Sequence, residues 1–185
     1  MNREKRIFDT QSIVLCALFA ALSTIGAYIK IPISYVPITM QLTFTTLAGL
    51  LLGSCKGAIS VSIYIIAGLI GLPVFTNGGG FGYVLQPTFG YILGFVAGAF
   101  VAGLIVGKRK EVSYSRYLLA SFGSIAACYT LGTIYFHIIM NLYLGNNMGL
   151  WKILMLCVIP FIPGDVIMSL LASWVAKKIK YHLPL

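Results

Sequence analysis

Acidic side chains are scarce in this 185-residue sequence: four Asp and Glu stand against thirteen Lys and Arg, and charged residues of both signs make up only 9%. A water-soluble domain of this length needs far more polar surface. With 59% hydrophobic residues and a mean hydropathy of +0.94, the chain reads as a membrane protein. No stretch of soluble-domain length separates the apolar runs, which predicts a single transmembrane domain over residues 1–185. Cysteine is sparse too. Cys16, Cys55, Cys128 and Cys157 lie in or beside apolar segments without CxxC spacing or a neighbouring histidine. That argues against metal or disulfide roles and for small core residues.

Catalytic and energising chemistry is equally thin. GLIVGKR (103–109) has three residues between its glycines and no Ser or Thr after the lysine, whereas a phosphate-binding loop needs four and a hydroxyl. His137 has no acid at helical spacing, and no Ser/His, paired-Asp or metal grouping stands out. Neither an enzyme nor a cofactor is expected. Coupled carriers use intramembrane carboxylates or inverted repeats. Here Asp165 is the one acid outside the segments assigned below to the cytoplasmic side, and the first half does not recur in the second. A self-sufficient proton-coupled carrier built on Asp165 stays open as an alternative.

Apolar windows long enough to cross a hydrocarbon core of roughly 30 Å, about 20 residues of helix, lie at 11–30, 38–54, 57–72, 85–107, 117–143 and 151–176. They predict an all-α, six-helix transmembrane bundle, with a tight hairpin at GSCKG (53–57) between the second and third helices. The first window is too long for a cleavable leader and reads as a retained helix. Six spans put eleven basic residues on one side (Arg3, Lys5, Arg6, Lys56, Lys108, Arg109, Lys110, Arg116, Lys177, Lys178, Lys180) and two on the other, Lys30 and Lys152. The positive-inside rule then places both termini in the cytoplasm, the protein being a multi-pass component of the cell membrane. The positive surplus suits anionic lipid heads, not nucleic acid.

The unusual sequence falls on the outer side. KIPISYVPITMQ (30–41) and GLPVFTNGGGFGYVLQPTFGY (71–91) are punctuated by glycine and proline. Irregular backbone at membrane depth is tolerated only inside protein or along a cavity. These loops predict an outward-facing ligand pocket with Thr39, Gln41, Asn77, Gln86 and Thr88 as polar groups. Its aromatic walls would come from Tyr35, Tyr64, Phe75, Phe81, Tyr83, Phe89 and Tyr91. In IPFIPGDVIMS (159–169), Pro160 and Pro163 interrupt the helical ladder and set Asp165 just past a bend. A carboxylate at that depth costs about 2.5–3.5 kcal/mol on insertion scales, so it calls for a role, either in binding or as the cap of the second half-helix. Small residues spaced by four (Gly90, Gly94, Gly98 and Ala102; Gly49, Gly53 and Gly57; Ala17 and Ala21, with Ser23 and Ala27) predict close helix contacts.

Five stretches, VPITMQ (36–41), AGLLLGSCKGAIS (48–60), YIIAGLIGLPVF (64–75), PTFGYILGF (87–95) and PFIPGD (160–165), resemble in order the successive motifs of BioY. That family is the biotin-binding S component of energy-coupling-factor (ECF) transporters. The resemblance implies a six-helix subunit that captures biotin from outside and works with a transmembrane coupling subunit and two cytoplasmic ATPases, which accounts for the missing engine. It also maps the family's Ala-xxx-Ala contact with the coupling subunit onto Ala17 and Ala21. One position departs from the pattern: Met168 stands where family members commonly carry a lysine, three residues after the aspartate. A lysine there would share a helix face with Asp165 and neutralise it. Asp165 must instead be partnered from elsewhere, with Lys30 and Lys152 the outer-side bases, or be protonated, or meet donors on the ligand. A cyclic urea offers two N–H donors and one carbonyl, which Asp165 and the Asn77 amide match. Backbone N–H groups of NGGG (77–80), Gly79 included, offer a nest for the valeryl carboxylate. A related vitamin or a biotin precursor is the alternative ligand.

Overall fold

The computed structural model describes residues 9–31, 36–107 and 111–182. Among these residues the helices are α1 (Thr10–Tyr28), α2 (Gln41–Leu52), α3 (Ser54–Leu69), α4 (Phe89–Val106), α5 (Tyr114–Ile138), α6 (Leu150–Cys157) and α7 (Ile162–His182). Two short strands, β1 (Lys30–Ile31) and β2 (Ile38–Thr39), pair antiparallel, Lys30 opposite Thr39 and Ile31 opposite Ile38.

All six apolar windows return as helix, but not as six equal spans. α1, α4 and α5 with its continuation to Tyr143 are long and apolar enough to cross a membrane, and α6 with α7 forms a fourth candidate bent by 53°. α2 and α3 are apolar but shorter. The second window loses Ile38 and Thr39 to the strand pair, and the third ends at Leu69, before Gly71 with its φ of 111°. The bend in the last window has the predicted cause. α6 stops before Pro160, whose missing N–H cannot extend it, while Pro163 falls in the first turn of α7, where no helical bond needs its N–H.

Close approach of helices explains most of the small-residue ladders. A Cβ on Gly94 would lie 2.7 Å from the Cys128 carbonyl oxygen, and one on Gly98 would lie 2.7 Å from Ser124 Oγ. The α4–α5 seam is therefore backbone against backbone. Gly57 likewise meets Gly49, 2.8 Å from its Cα. Gly53 is different: at φ 84° it is the single-residue turn between α2 and α3, a conformation that side chains resist. The first-helix ladder splits. Ser23 and Ala27 are buried, whereas Ala17 and Ala21 lie on an exposed face with Val14, Leu18 and Ile25.

Two packed cores result. One, toward the ends that carry Lys56, Arg116 and Lys177, is built from Phe19, Leu50, Ala102, Tyr117 and Ala176. The other, at the end bearing the two irregular loops, holds Tyr64, Phe75, Tyr83, Phe89, Tyr91 and Phe136. Buried hydroxyl pairs cross the bundle, Thr46 with Ser124 at 2.8 Å and Ser121 with Ser173 at 3.0 Å.

Candidate ligand site

Gln41 opens α2 and is only 3% exposed. Its Nε2 donates to the Tyr64 hydroxyl at 2.5 Å, and its Oε1 accepts from Thr39 at 3.2 Å and Thr76 at 3.3 Å. One amide thus ties together α2, α3, the strand pair and the second loop. From Tyr64 a succession of rings runs across the loop end: Phe75 at 5.4 Å, then Tyr83 at 4.6 Å, Phe89 at 6.5 Å and Tyr135 at 6.0 Å. Edge-on and tilted contacts of this kind add to burial.

The 71–80 loop folds on itself. Phe75 and Gly78 exchange backbone bonds of 2.9 and 3.1 Å, and the Gly80 N–H reaches Gly68 O at 2.7 Å. The Tyr83 hydroxyl meets the Asn77 backbone N–H and the Thr88 side chain, while burial pushes its phenol up from the ordinary value and keeps it neutral. The anion nest expected of residues 77–80 is therefore mostly committed to holding the loop. Gly79 is exposed on its outer side yet flush against the end of α3 and the turn that follows it, where a Cβ would run into the Leu72 carbonyl and sit 3.0 Å from Gly68 O. The Asn77 side chain is exposed, and Phe81 is 77% exposed and forms no wall. Tyr35 lies outside the described residues. α1 and β1 clasp this loop from the side: the Tyr28 hydroxyl donates to Pro73 O, and Lys30 Nζ donates to Thr76 O at 2.7 Å.

Asp165 stands on the first turn of α7, past the cap position, and its N–H bonds Phe161 O at 2.9 Å. Its Oδ2 accepts from the Tyr129 hydroxyl on α5. That partner is neither expected base: Lys30 is engaged at Thr76, and Lys152 is exposed on α6. Met168 follows one turn later. With Leu42, Thr43, Thr46, Ser169 and Ala172 it lines a space of about 10 Å³ beside Asp165, room for about one water. Asp165 and Met168 are half-buried, while buried rings and the Gln41 network fill the loop end. A larger groove of about 570 Å³ lies between α3 and α4, with Ala58, Ser62, Ile66, Leu93, Ala97 and Phe100 on its walls and neither Asp165 nor Gln41 among them.

Of the sequence-predicted residues, the structure joins Thr39, Gln41, Tyr64 and Phe75 directly. Met168 lies beside Asp165, and α2 contributes to both groups through Gln41 on one side and Thr43 and Thr46 on the other. Tyr91 serves the break, donating to Cys157 O at 3.1 Å where α6 ends, one of the carbonyls left over at a helix C-terminus. Tyr129, Tyr135 and Thr76 were not foreseen. His137 is satisfied structurally: Asn141 Nδ2 lies 2.9 Å from its Nδ1 and pins the next loop through Met148 O at 3.0 Å.

Comparison with known proteins bears on this arrangement. The model of the BioY family matches residues 1–185. The biotin transporter BioY of Thermotoga maritima is 33% identical over 171 residues, 92% of this chain and 96% of that protein. That of Rhodobacter capsulatus is 36% identical over 182 residues, 94% of this chain and 95% of its own. The crystal structure of the S-component for biotin from an ECF-type ABC transporter matches with a TM-score of 0.70 at 27% identity, covering 98% of this chain and 95% of that one. The family match over the whole sequence and these full-length likenesses agree: the chain belongs to the BioY family.

Proposed function

We propose that this protein is the biotin-capturing membrane subunit of an ECF-type transporter, a transport protein and not an enzyme. The observation that carries the reading is the likeness, over 98% of the chain, to a solved S-component for biotin. Six membrane crossings, with α2 and α3 as short spans and α6–α7 as one bent span, put both termini in the cytoplasm and the irregular loops outside. Biotin enters at that outer end, where the 71–80 loop and the strand pair move aside. Asp165 accepts an N–H of the ureido ring, the Asn77 amide turns in to its carbonyl, and Tyr64, Phe75 and Tyr91 enclose the apolar part. Ala17 and Ala21, on the exposed face of α1, dock the transmembrane coupling subunit, and two cytoplasmic ATPases drive the assembly.

Isothermal titration of the purified protein with biotin tests this reading. Saturable binding at micromolar ligand or tighter is expected, and its absence refutes the assignment. Met168, an apolar neighbour for Asp165, favours one competing ligand, a biotin precursor such as dethiobiotin. A thermal-shift panel separates the two by which compound stabilises.

A further inference from the structure

We infer that Tyr129 is the positioning residue for ligand recognition at Asp165, a neutral donor that holds this carboxylate without cancelling its charge. The inference rests on the biotin reading for the identity of the ligand.

A carboxylate in a membrane bundle needs a partner, and bases are the usual one. Around Asp165 the surroundings are of another kind. α2 contributes Leu42 and the hydroxyl residues Thr43 and Thr46, α7 itself contributes Met168 and Ser169, and α5 contributes Tyr129, whose hydroxyl donates to Oδ2. The two outer-side lysines are used or placed elsewhere. A carboxylate accepts up to four hydrogen bonds over its two oxygens, so the single bond from Tyr129 leaves Oδ1 for a ligand donor. That bond also fixes the rotation of the carboxylate, because the phenol is carried on a rigid ring in a helix packed along α7. A cationic partner would share the charge with the ligand. A phenol has no charge to share, so an ionised carboxylate meets an N–H donor with its charge undivided and forms the stronger, charge-assisted bond.

The experiment compares the parent, Tyr129→Phe and the double variant Tyr129→Phe/Met168→Lys in detergent. One readout is biotin titration. The other is the infrared carboxylate bands of Asp165 in unliganded protein, assigned by their loss in Asp165→Asn. Tyr129→Phe keeps the ring and removes the hydroxyl; it is expected to weaken biotin binding roughly 10- to 100-fold and to shift the bands. Met168→Lys, one helical turn from Asp165, supplies a cationic donor that holds the carboxylate again but shares its charge, so it is expected to recover only part of the affinity. Parent-like affinity in Tyr129→Phe overturns the inference. So does a loss with unshifted bands that Met168→Lys does not recover, which would make the ring a packing group. A parent that binds no biotin refutes the ligand assignment instead, and the infrared comparison then decides the hold of Tyr129 on Asp165 by itself.

Discussion

Replacing Gln41 with leucine tests whether one buried amide holds the loop end together. Gln41 and Tyr64 are 3% and 1% exposed, so leucine strands the Tyr64 hydroxyl where no water reaches it, at about 1–3 kcal/mol for a buried unsatisfied group. Thr39 and Thr76 are half-buried and can turn to water, so losing both bonds adds about 1 kcal/mol. Leucine is similar in size and returns part of this through apolar burial, leaving a net destabilisation of about 2 kcal/mol. Adding Tyr64→Phe removes the stranded hydroxyl, and replacing both partners of a buried bond by apolar groups is close to neutral. The double variant should therefore recover about 1–2 kcal/mol of the loss. Equilibrium unfolding in mixed micelles with rising dodecyl sulfate measures all three proteins. A Gln41→Leu protein within about 0.5 kcal/mol of the parent, the range of ordinary surface changes, refutes the reasoning. A double variant no more stable than the single one refutes it equally.

Asp165→Asn keeps the shape and one acceptor but removes the charge, so biotin affinity should fall about tenfold, the worth of a charge-assisted bond over a neutral one; titration with unchanged affinity would leave Asp165 without a ligand role. Ala21→Trp, and Ala17→Trp beside it, put an indole on the exposed face of α1. Co-purification with an ECF coupling subunit should drop while biotin affinity stays at the parent value, and equal loss of both would contradict a separate docking face. Gly98→Val drives a methyl-bearing Cβ into Ser124, whose Oγ would lie 2.7 Å away, and should cost about 1–3 kcal/mol of overpacking; an unliganded melting temperature equal to the parent's would show that α4 and α5 have room there.

Much of the fold was legible because membrane solvent imposes few solutions. Apolar length located every helix, and proline placed the α6–α7 break, since a missing N–H acts on its own chain neighbours wherever the rest of the protein lies. Glycine spacing marked α4 as a close-packing surface for the same reason, a surface without side chains being a local fact, although which helix it meets was not legible. What spacing could not give is direction around the helix axis within a bundle. Ala17 and Ala21 share a four-residue rhythm with Ser23 and Ala27, yet the pairs occupy different faces of α1, a difference fixed by which neighbour packs where. The short β1–β2 pairing also escaped notice, because two-residue strands carry no period to detect.

The candidate site divides along the same line. Gln41, Thr39, Tyr64 and Phe75 sit near the ends of consecutive elements, and chain connectivity brings such ends together, whereas Asn77 and Phe81, picked from the same loops, stay exposed. Tyr129 is separated from Asp165 by 36 positions and lies in SIAACYTLG (124–132), a run of small and apolar residues that offers no reason to single out one phenol. Its role exists only because α5 lies along α7, a tertiary fact. The sequence did carry half of the signal. An acid beside Met168, with no base on its own helix turn, poses the question of a donor, and in a bundle the answer has to come from a facing helix. Among the groups facing Asp165, the one that bonds its carboxylate is the Tyr129 hydroxyl. The missing cation and the unforeseen phenol are therefore one observation: the charge that an apolar residue at position 168 leaves uncancelled is the charge that Tyr129 orients.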